Sequence, residues 1–196
     1  MTQDWAAVQK ATYCDKGYGE TKRALTQERF IKTLGMLRPH SRVLDLGCND
    51  GSFTQLLQDK GFEVTGADFG EIIQKAQEEH PKCHFIATNI DSVDFLEKSF
   101  DAVIALGLIE HLVGDIEFMR KAYRWLTPNG RIFLSTPLSP EKICEEDSTH
   151  IRFYPPYSLL RLLEVCEFKI SRIDIFREVD EYLIIGEKAG EKSGIV

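Results

Sequence analysis

The sequence predicts an α/β protein. The expected architecture is a doubly wound, seven-stranded, mostly parallel sheet with helices on both faces and an antiparallel C-terminal strand. Three observations predict it. Strand-like and helix-like segments alternate over almost the whole of the 196 residues, the pattern of crossovers that lay helices on a parallel sheet. The run from Phe100 to Leu106 is apolar without regular alternation, as a central strand covered on both faces should be. Only five residues, Arg177 to Glu181, separate the last two strand-like segments. No crossover helix fits into so short a connection, so these strands should pair antiparallel.

Each element has its own signal. Ala24 to Leu37 reads as a helix, with Leu25, Phe30, Ile31, Leu34 and Leu37 near helical spacing and Pro39 ending the run. Arg42 to Leu46 is a short apolar strand, and Phe53, Leu56 and Leu57 mark one face of a helix that stops near Gly61. Phe62 to Ala67 is the second strand, Ile72 to Glu79 the second helix, and Cys83 to Ala87 the third strand. After Phe100 to Leu106, a helix is marked by Ile116, Met119, Tyr123 and Leu126. Pro128-Asn129-Gly130 reads as a turn, followed by a strand from Arg131 to Ser135. Leu159, Leu160, Leu163 and Cys166 give a helix after Pro155-Pro156, and Phe168 to Phe176 and Tyr182 to Gly186 are the closing strands. This arrangement makes residues 24–188 one domain, with a capping segment at 1–23 and a fraying tail at 189–196.

Composition narrows the class. The chain is 43% hydrophobic and 28% charged, with 24 basic and 31 acidic residues and a net charge of −7. An acidic balance argues against a nucleic-acid backbone as the default partner. The longest apolar run, Ala102 to Ile109, has eight residues, whereas a membrane-spanning helix needs about 20. The first ten residues lack the apolar stretch of a secretory signal. Five cysteines with no CxxC suggest neither a disulfide framework nor a zinc cluster, and point to a reducing, cytoplasmic setting.

The chemistry concentrates in Val43-Leu44-Asp45-Leu46-Gly47-Cys48-Asn49-Asp50-Gly51-Ser52-Phe53. A buried strand runs into an acid, a glycine-bearing turn and a helix, at the strand end where open α/β sheets bind ligands. A dinucleotide fingerprint beginning at Gly47 would need glycines at positions 49 and 52, which hold Asn49 and Ser52. No phosphate-binding GxxxxGK[ST] occurs either. An acid before the glycines repels a pyrophosphate and suits a cationic ligand, an ammonium or sulfonium. Asp68 closes the second strand 21 positions after Gly47. A carboxylate there is suited to both ribose hydroxyls of an adenosine, or, more simply, to capping the next helix.

These residues resemble the class I S-adenosylmethionine-dependent methyltransferases. Val43 to Gly51 looks like their first motif and Asp68 matches their ribose-binding acid. Phe100 to Ala105 with Ile109-Glu110-His111-Leu112, and Leu126-Thr127-Pro128-Asn129-Gly130-Arg131, look like the motifs of their fourth and fifth strands. The Glu110-His111 pair and His150-Ile151-Arg152-Phe153-Tyr154 most resemble the ubiquinone-biosynthesis O-methyltransferase type. The resemblance implies a Rossmann-like fold, S-adenosylmethionine as cofactor and a small-molecule acceptor. It puts Asp45 and Gly47 near the methionyl part, Asp68 on the ribose and Phe69 on the adenine. Asn89, with Ile90 beside it, would meet the adenine edge, and Leu106 would supply backbone near the methionyl group. Asn49 stands where the motif has its middle glycine, while Asp45, Gly47 and Gly51 remain.

The type's ExxEH metal motif lacks its first glutamate here, where Gly107 stands, so no metal is expected. Glu110, His111 and His150 remain as a weak set of ligands. For a phenol or alcohol acceptor, His111 and His150 are the candidate bases, because both follow strand ends on the ligand side. The bland reading of His111 is a local bond at the start of the next helix. His40, His80 and His84 lie at the opposite end of the sheet, and Cys48 has no activating neighbour. The competing readings are a catalytically silent methyltransferase-like partner and a nicotinamide-dependent oxidoreductase.

Overall fold

The structure is a computed structural model that describes residues 30–139 and 149–190. The capping segment at 1–23, the start of the first helix and all but the first two residues of the tail at 189–196 lie outside the described residues. Seven strands form one sheet: β1 (Arg42–Leu46), β2 (Glu63–Asp68), β3 (His84–Ala87), β4 (Phe100–Leu106), β5 (Leu126–Pro137), β6 (Lys169–Phe176) and β7 (Glu181–Glu187). Their order across the sheet is β3-β2-β1-β4-β5-β7-β6. The first five run parallel, and β7 pairs antiparallel with both β5 and β6. The expected sheet, with its antiparallel strand near the C-terminus, is the one observed.

Helices α1 (Ser52–Asp59), α2 (Gly70–Glu79), α3 (Asp115–Trp125) and α4 (Pro156–Val165) connect the strands. Short 3₁₀ turns stand at Leu34–Met36 and Ile109–His111. Each helix buries one stripe: Phe53 and Leu57 from α1, Ile73 and Ala76 from α2, Phe118, Met119, Ala122 and Trp125 from α3, and Leu159 and Leu163 from α4. The two large clusters lie on opposite faces of the sheet. One joins Leu44, Leu46, Val103 and Ala105 to α3 and α4, and the other joins Val43, Ala102 and Ile104 to α1. Adjacent residues of β1 and β4 thus feed different clusters, which is why these runs lack polar alternation.

One boundary differs from the sequence reading. The segment Leu126 to Gly130, expected to end α3 and then turn, belongs to β5, because Leu126 already pairs with Phe100. The register slips between Phe100 and Ala102, and Asn129 has φ +65°. The turn residues therefore make an irregularity inside a strand, with pairing on both sides of it. Among the described residues, no helix is long and apolar enough to cross a membrane.

Candidate functional site

The carboxyl ends of the parallel strands gather most of the residues singled out above. After β1 the chain turns through Gly47 (φ +72°), Asn49 (φ +50°) and Gly51 (φ +78°), three left-handed residues in five. Asparagine is among the few non-glycine residues that enter this region readily, so Asn49 fills a glycine position without breaking the turn. Gly47 and Cys48 both donate their N–H groups to the Ala67 carbonyl, at 2.9 and 3.3 Å. The turn is thereby hung from the end of β2. A Cβ on Gly47 would stand 3.3 Å from Leu108 Cδ1.

Asp68 at the end of β2 faces this turn. Its Oδ2 accepts the Asn49 N–H at 2.9 Å, and its Oδ1 accepts the Phe69 N–H at 2.7 Å. It does not hold the cap position of α2: Phe69 does, with no side-chain capping hydrogen bond. Burial pushes the Asp68 carboxyl above its ordinary range, opposed by the two backbone N–H donors. Each carboxylate oxygen keeps a further lone pair for a ligand hydroxyl.

Asp45 is also buried, and its Oδ2 accepts the Thr54 hydroxyl at 2.7 Å. Thr54, one turn into α1 and fully buried, was not among the sequence candidates. A lone threonine nine positions downstream carries no sequence signal; the helix geometry alone brings it beneath the strand end. Thr54→Val keeps the shape and removes the donor. It is expected to cost about 2 kcal/mol, or about 4–8 °C in melting temperature, with Thr54→Ser close to the unaltered protein. Thermal melting of the two variants checks this.

The remaining cofactor candidates divide. Phe69 is half-buried at the start of α2, and Leu106 is half-buried at the end of β4. Asn89 is exposed, and its side-chain oxygen accepts the Asp91 N–H at 2.9 Å, so its NH₂ is the group it can offer a ring. Ile90 is buried in the cluster with Ala67 and Leu108. The Cys48 thiol is pushed far up by burial and by the nearby Asp45 and Asp68 carboxylates, which agrees with its lack of a nucleophilic role.

A second cluster lies where β4 and β5 end. The 3₁₀ turn Ile109–His111 buries Glu110 and His111. His111 Nδ1 lies 3.2 Å from the Thr149 carbonyl oxygen and 3.0 Å from the Thr149 hydroxyl. The rings of His111 and His150 are 4.6 Å apart between centroids, and His150 Nε2 is 4.0 Å from Glu110 Oε1. His111 thus bonds across to another loop, while α3 begins only at Asp115. The structure brings the two candidate bases together in one site. Glu110, His111 and His150 each offer a ligand atom within 4.8 Å of the others, two imidazoles and a carboxylate of the kind a transition ion accepts.

The segment carrying Thr149 and His150 is fastened along its length. Ile151 and Arg152 donate their N–H groups to the Glu110 carbonyl at 3.0 and 3.3 Å. Arg152 reaches the Val113 carbonyl at 2.8 Å and Asp115 Oδ2 at 2.7 Å. Tyr154 donates to the same Asp115 oxygen at 2.7 Å. Burial works against the Asp115 charge, but the hydrogen bonds from Tyr154, Ile116 and Arg152 outweigh it and hold the carboxyl below its ordinary range. Tyr154 is thus a buried strut, whereas Tyr157 is largely exposed.

Residues 18–172 match the family described as methyltransferase domain. A probable S-adenosylmethionine-dependent methyltransferase of Mycolicibacterium smegmatis is 28% identical over 134 residues, covering 66% of this chain and 52% of that protein. The ubiquinone biosynthesis O-methyltransferase of Pseudomonas aeruginosa is 29% identical over 101 residues, 48% of this chain and 44% of that protein. The chain thus spans about half the length of these curated relatives. A crystal structure of an S-adenosylmethionine-dependent methyltransferase from Mesorhizobium loti superposes with a TM-score of 0.69 at 17% identity, covering 82% of this chain and 97% of that one. The cofactor that the family implies is S-adenosylmethionine, and the left-handed turn facing a buried acid is a cradle that fits its adenosyl part. With the match covering most of its length, the chain belongs to the methyltransferase domain family.

Proposed function

We propose that this domain transfers a methyl group from S-adenosylmethionine to the hydroxyl oxygen of a small-molecule acceptor. The observation that carries the reading is the Asp68 carboxylate, fastened by two backbone N–H groups against the glycine-bearing turn. S-adenosylmethionine, when bound, supplies a methyl group already activated on a positive sulfur. The chain then has to bind, align and deprotonate.

In this reading Asp68 accepts the ribose hydroxyls, and Gly47, Asn49 and Gly51 let the backbone approach. Phe69 covers the adenine, with Asn89 and Ile90 at its edge. Asp45 and the Leu106 backbone face the methionyl end. Alignment of the acceptor supplies the larger share of the rate, roughly 7–11 kcal/mol for well-oriented groups. His111 is the base that takes the hydroxyl proton, with His150 beside it. The O-methyltransferase name of the Pseudomonas relative supports a hydroxyl acceptor.

Titration calorimetry with S-adenosylhomocysteine tests the cofactor site, and an absence of measurable heat would sink the reading. A labelled methyl donor, incubated with a metabolite extract and resolved by mass, tests the acceptor class. A product methylated at nitrogen or carbon would replace the hydroxyl assignment. His111→Ala is expected to leave S-adenosylhomocysteine affinity within about twofold and to lower turnover by about 10²–10⁴-fold. Unchanged turnover would remove His111 from the base role.

A further inference from the structure

We infer that Thr149 is a positioning residue that sets which nitrogen of His111 works. Its carbonyl and hydroxyl oxygens hold the hydrogen on Nδ1, leaving the lone pair on Nε2 as the proton acceptor. This rests on the reading of His111 as the base.

A carbonyl oxygen only accepts, so the 3.2 Å approach of the Thr149 oxygen to His111 Nδ1 is attractive only when Nδ1 bears a hydrogen. In a neutral imidazole the other nitrogen then carries a lone pair and no hydrogen, and the bond made by one nitrogen decides the role of the other. The Thr149 hydroxyl, at 3.0 Å, adds a second acceptor to the same N–H. The reverse arrangement, with the hydroxyl donating to a bare Nδ1, would set the nitrogen lone pair against the carbonyl lone pairs. Both residues are buried, Thr149 at 0% and His111 at 3% exposure, so bulk water does not compete for these contacts.

The carbonyl is also well anchored. It belongs to the segment that Ile151, Arg152 and Tyr154 fasten to Glu110, Val113 and Asp115. Thr149, 38 positions after His111, therefore brings its acceptor to the ring on a hydrogen-bonded segment. A base needs its ring orientation and its tautomer set before the acceptor arrives. Thr149 supplies both from a position next to His150, the other imidazole of the site.

Nitrogen-15 NMR of the histidine side chains, on the 196-residue chain saturated with S-adenosylhomocysteine, tests this directly. His111 is assigned by the signals lost in His111→Ala. In the neutral ring, Nδ1 is expected in the pyrrole-like range and Nε2 in the pyridine-like range. The opposite pattern, or an averaged pair of shifts, overturns the assignment. Thr149→Val removes one of the two acceptors, and exchange of the Nδ1 hydrogen with solvent should quicken by about tenfold, with Thr149→Ser restoring it. Unchanged exchange in Thr149→Val overturns the hydroxyl's part. If that variant does not fold, the tautomer of the unaltered protein decides alone. Failure of the parent reading shows elsewhere, as full turnover in His111→Ala whichever nitrogen carries the hydrogen.

Discussion

Gly51→Ala is expected to destabilise the fold by about 2–5 kcal/mol, a fall of about 4–20 °C in melting temperature. Two independent costs add. Gly51 sits at φ +78°, where a Cβ is strained by about 1–2 kcal/mol. A Cβ there would also lie 2.5 Å from Phe85 Cζ and 2.9 Å from Cε1. The ring cannot simply withdraw, because it also fills the space over Gly66, where a Cβ would meet Phe85 Cδ1 at 2.7 Å. One phenyl ring thus occupies the room left by two glycines, one in the turn and one in β2. Forcing an extra carbon into such packing costs about 1–3 kcal/mol. The damage should reach the site, because Gly51 donates its N–H to the Cys48 carbonyl, next to the Asn49 N–H that holds Asp68. Weaker S-adenosylhomocysteine binding is therefore expected alongside the lower melting point. Gly51→Ala combined with Phe85→Leu separates the costs: relief of the clash should recover part of the loss caused by position 51, and the backbone part should persist. An unaltered melting curve for Gly51→Ala would contradict the packing described.

The sheet was legible because its signals are local and physical. The bounds of β1 and β4 match their apolar runs to the residue, since strands buried on both faces have few places for polar side chains. In the sequence β5 looks shorter than it is, because Pro128, Asn129 and Gly130 are turn formers and nothing local shows that Leu126 pairs with Phe100 before them. The same division runs through the site. Asp45, Gly47, Gly51, Asp68 and the two histidines stand in recognisable strings. Their supports, Thr54 and Thr149, do not: a threonine is a common residue, and these two matter through contacts made 9 and 38 residues away. His111 illustrates the limit. Its identity and strand-end position follow from the sequence, but its partner depends on how the segment after β5 folds back on the 3₁₀ turn. Asn49 shows the reverse, a departure from a motif that its left-handed φ explains at once.

Asp68→Asn is expected to weaken S-adenosylhomocysteine binding by about 10- to 100-fold, the range for losing a hydrogen bond to a charged group. The carboxylate serves two backbone donors, one on each oxygen, and still has lone pairs for the ribose. A carbamoyl group has one oxygen, so its NH₂ must face either the Asn49 or the Phe69 N–H, and the turn or the start of α2 shifts. The pH dependence separates this account from a general loss of fold. Burial raises the Asp68 carboxyl above its ordinary range, which means the folded protein prefers the protonated form more than the unfolded chain does. Its contribution to stability without ligand is therefore fully present below the unfolded value and is lost as pH rises through the raised one. Ligand affinity should run the other way, complete while Asp68 is ionised and falling as pH drops through that same raised value. Taken as the difference between the unaltered protein and Asp68→Asn, melting temperature and affinity should show slopes of opposite sign over one pH window above the usual carboxylate range. If the affinity of the unaltered protein stays flat down to ordinary carboxylate pH, Asp68 is not the ionised partner of the ribose. If the two slopes share a sign, the loss in Asp68→Asn comes from unfolding and not from the missing acceptor.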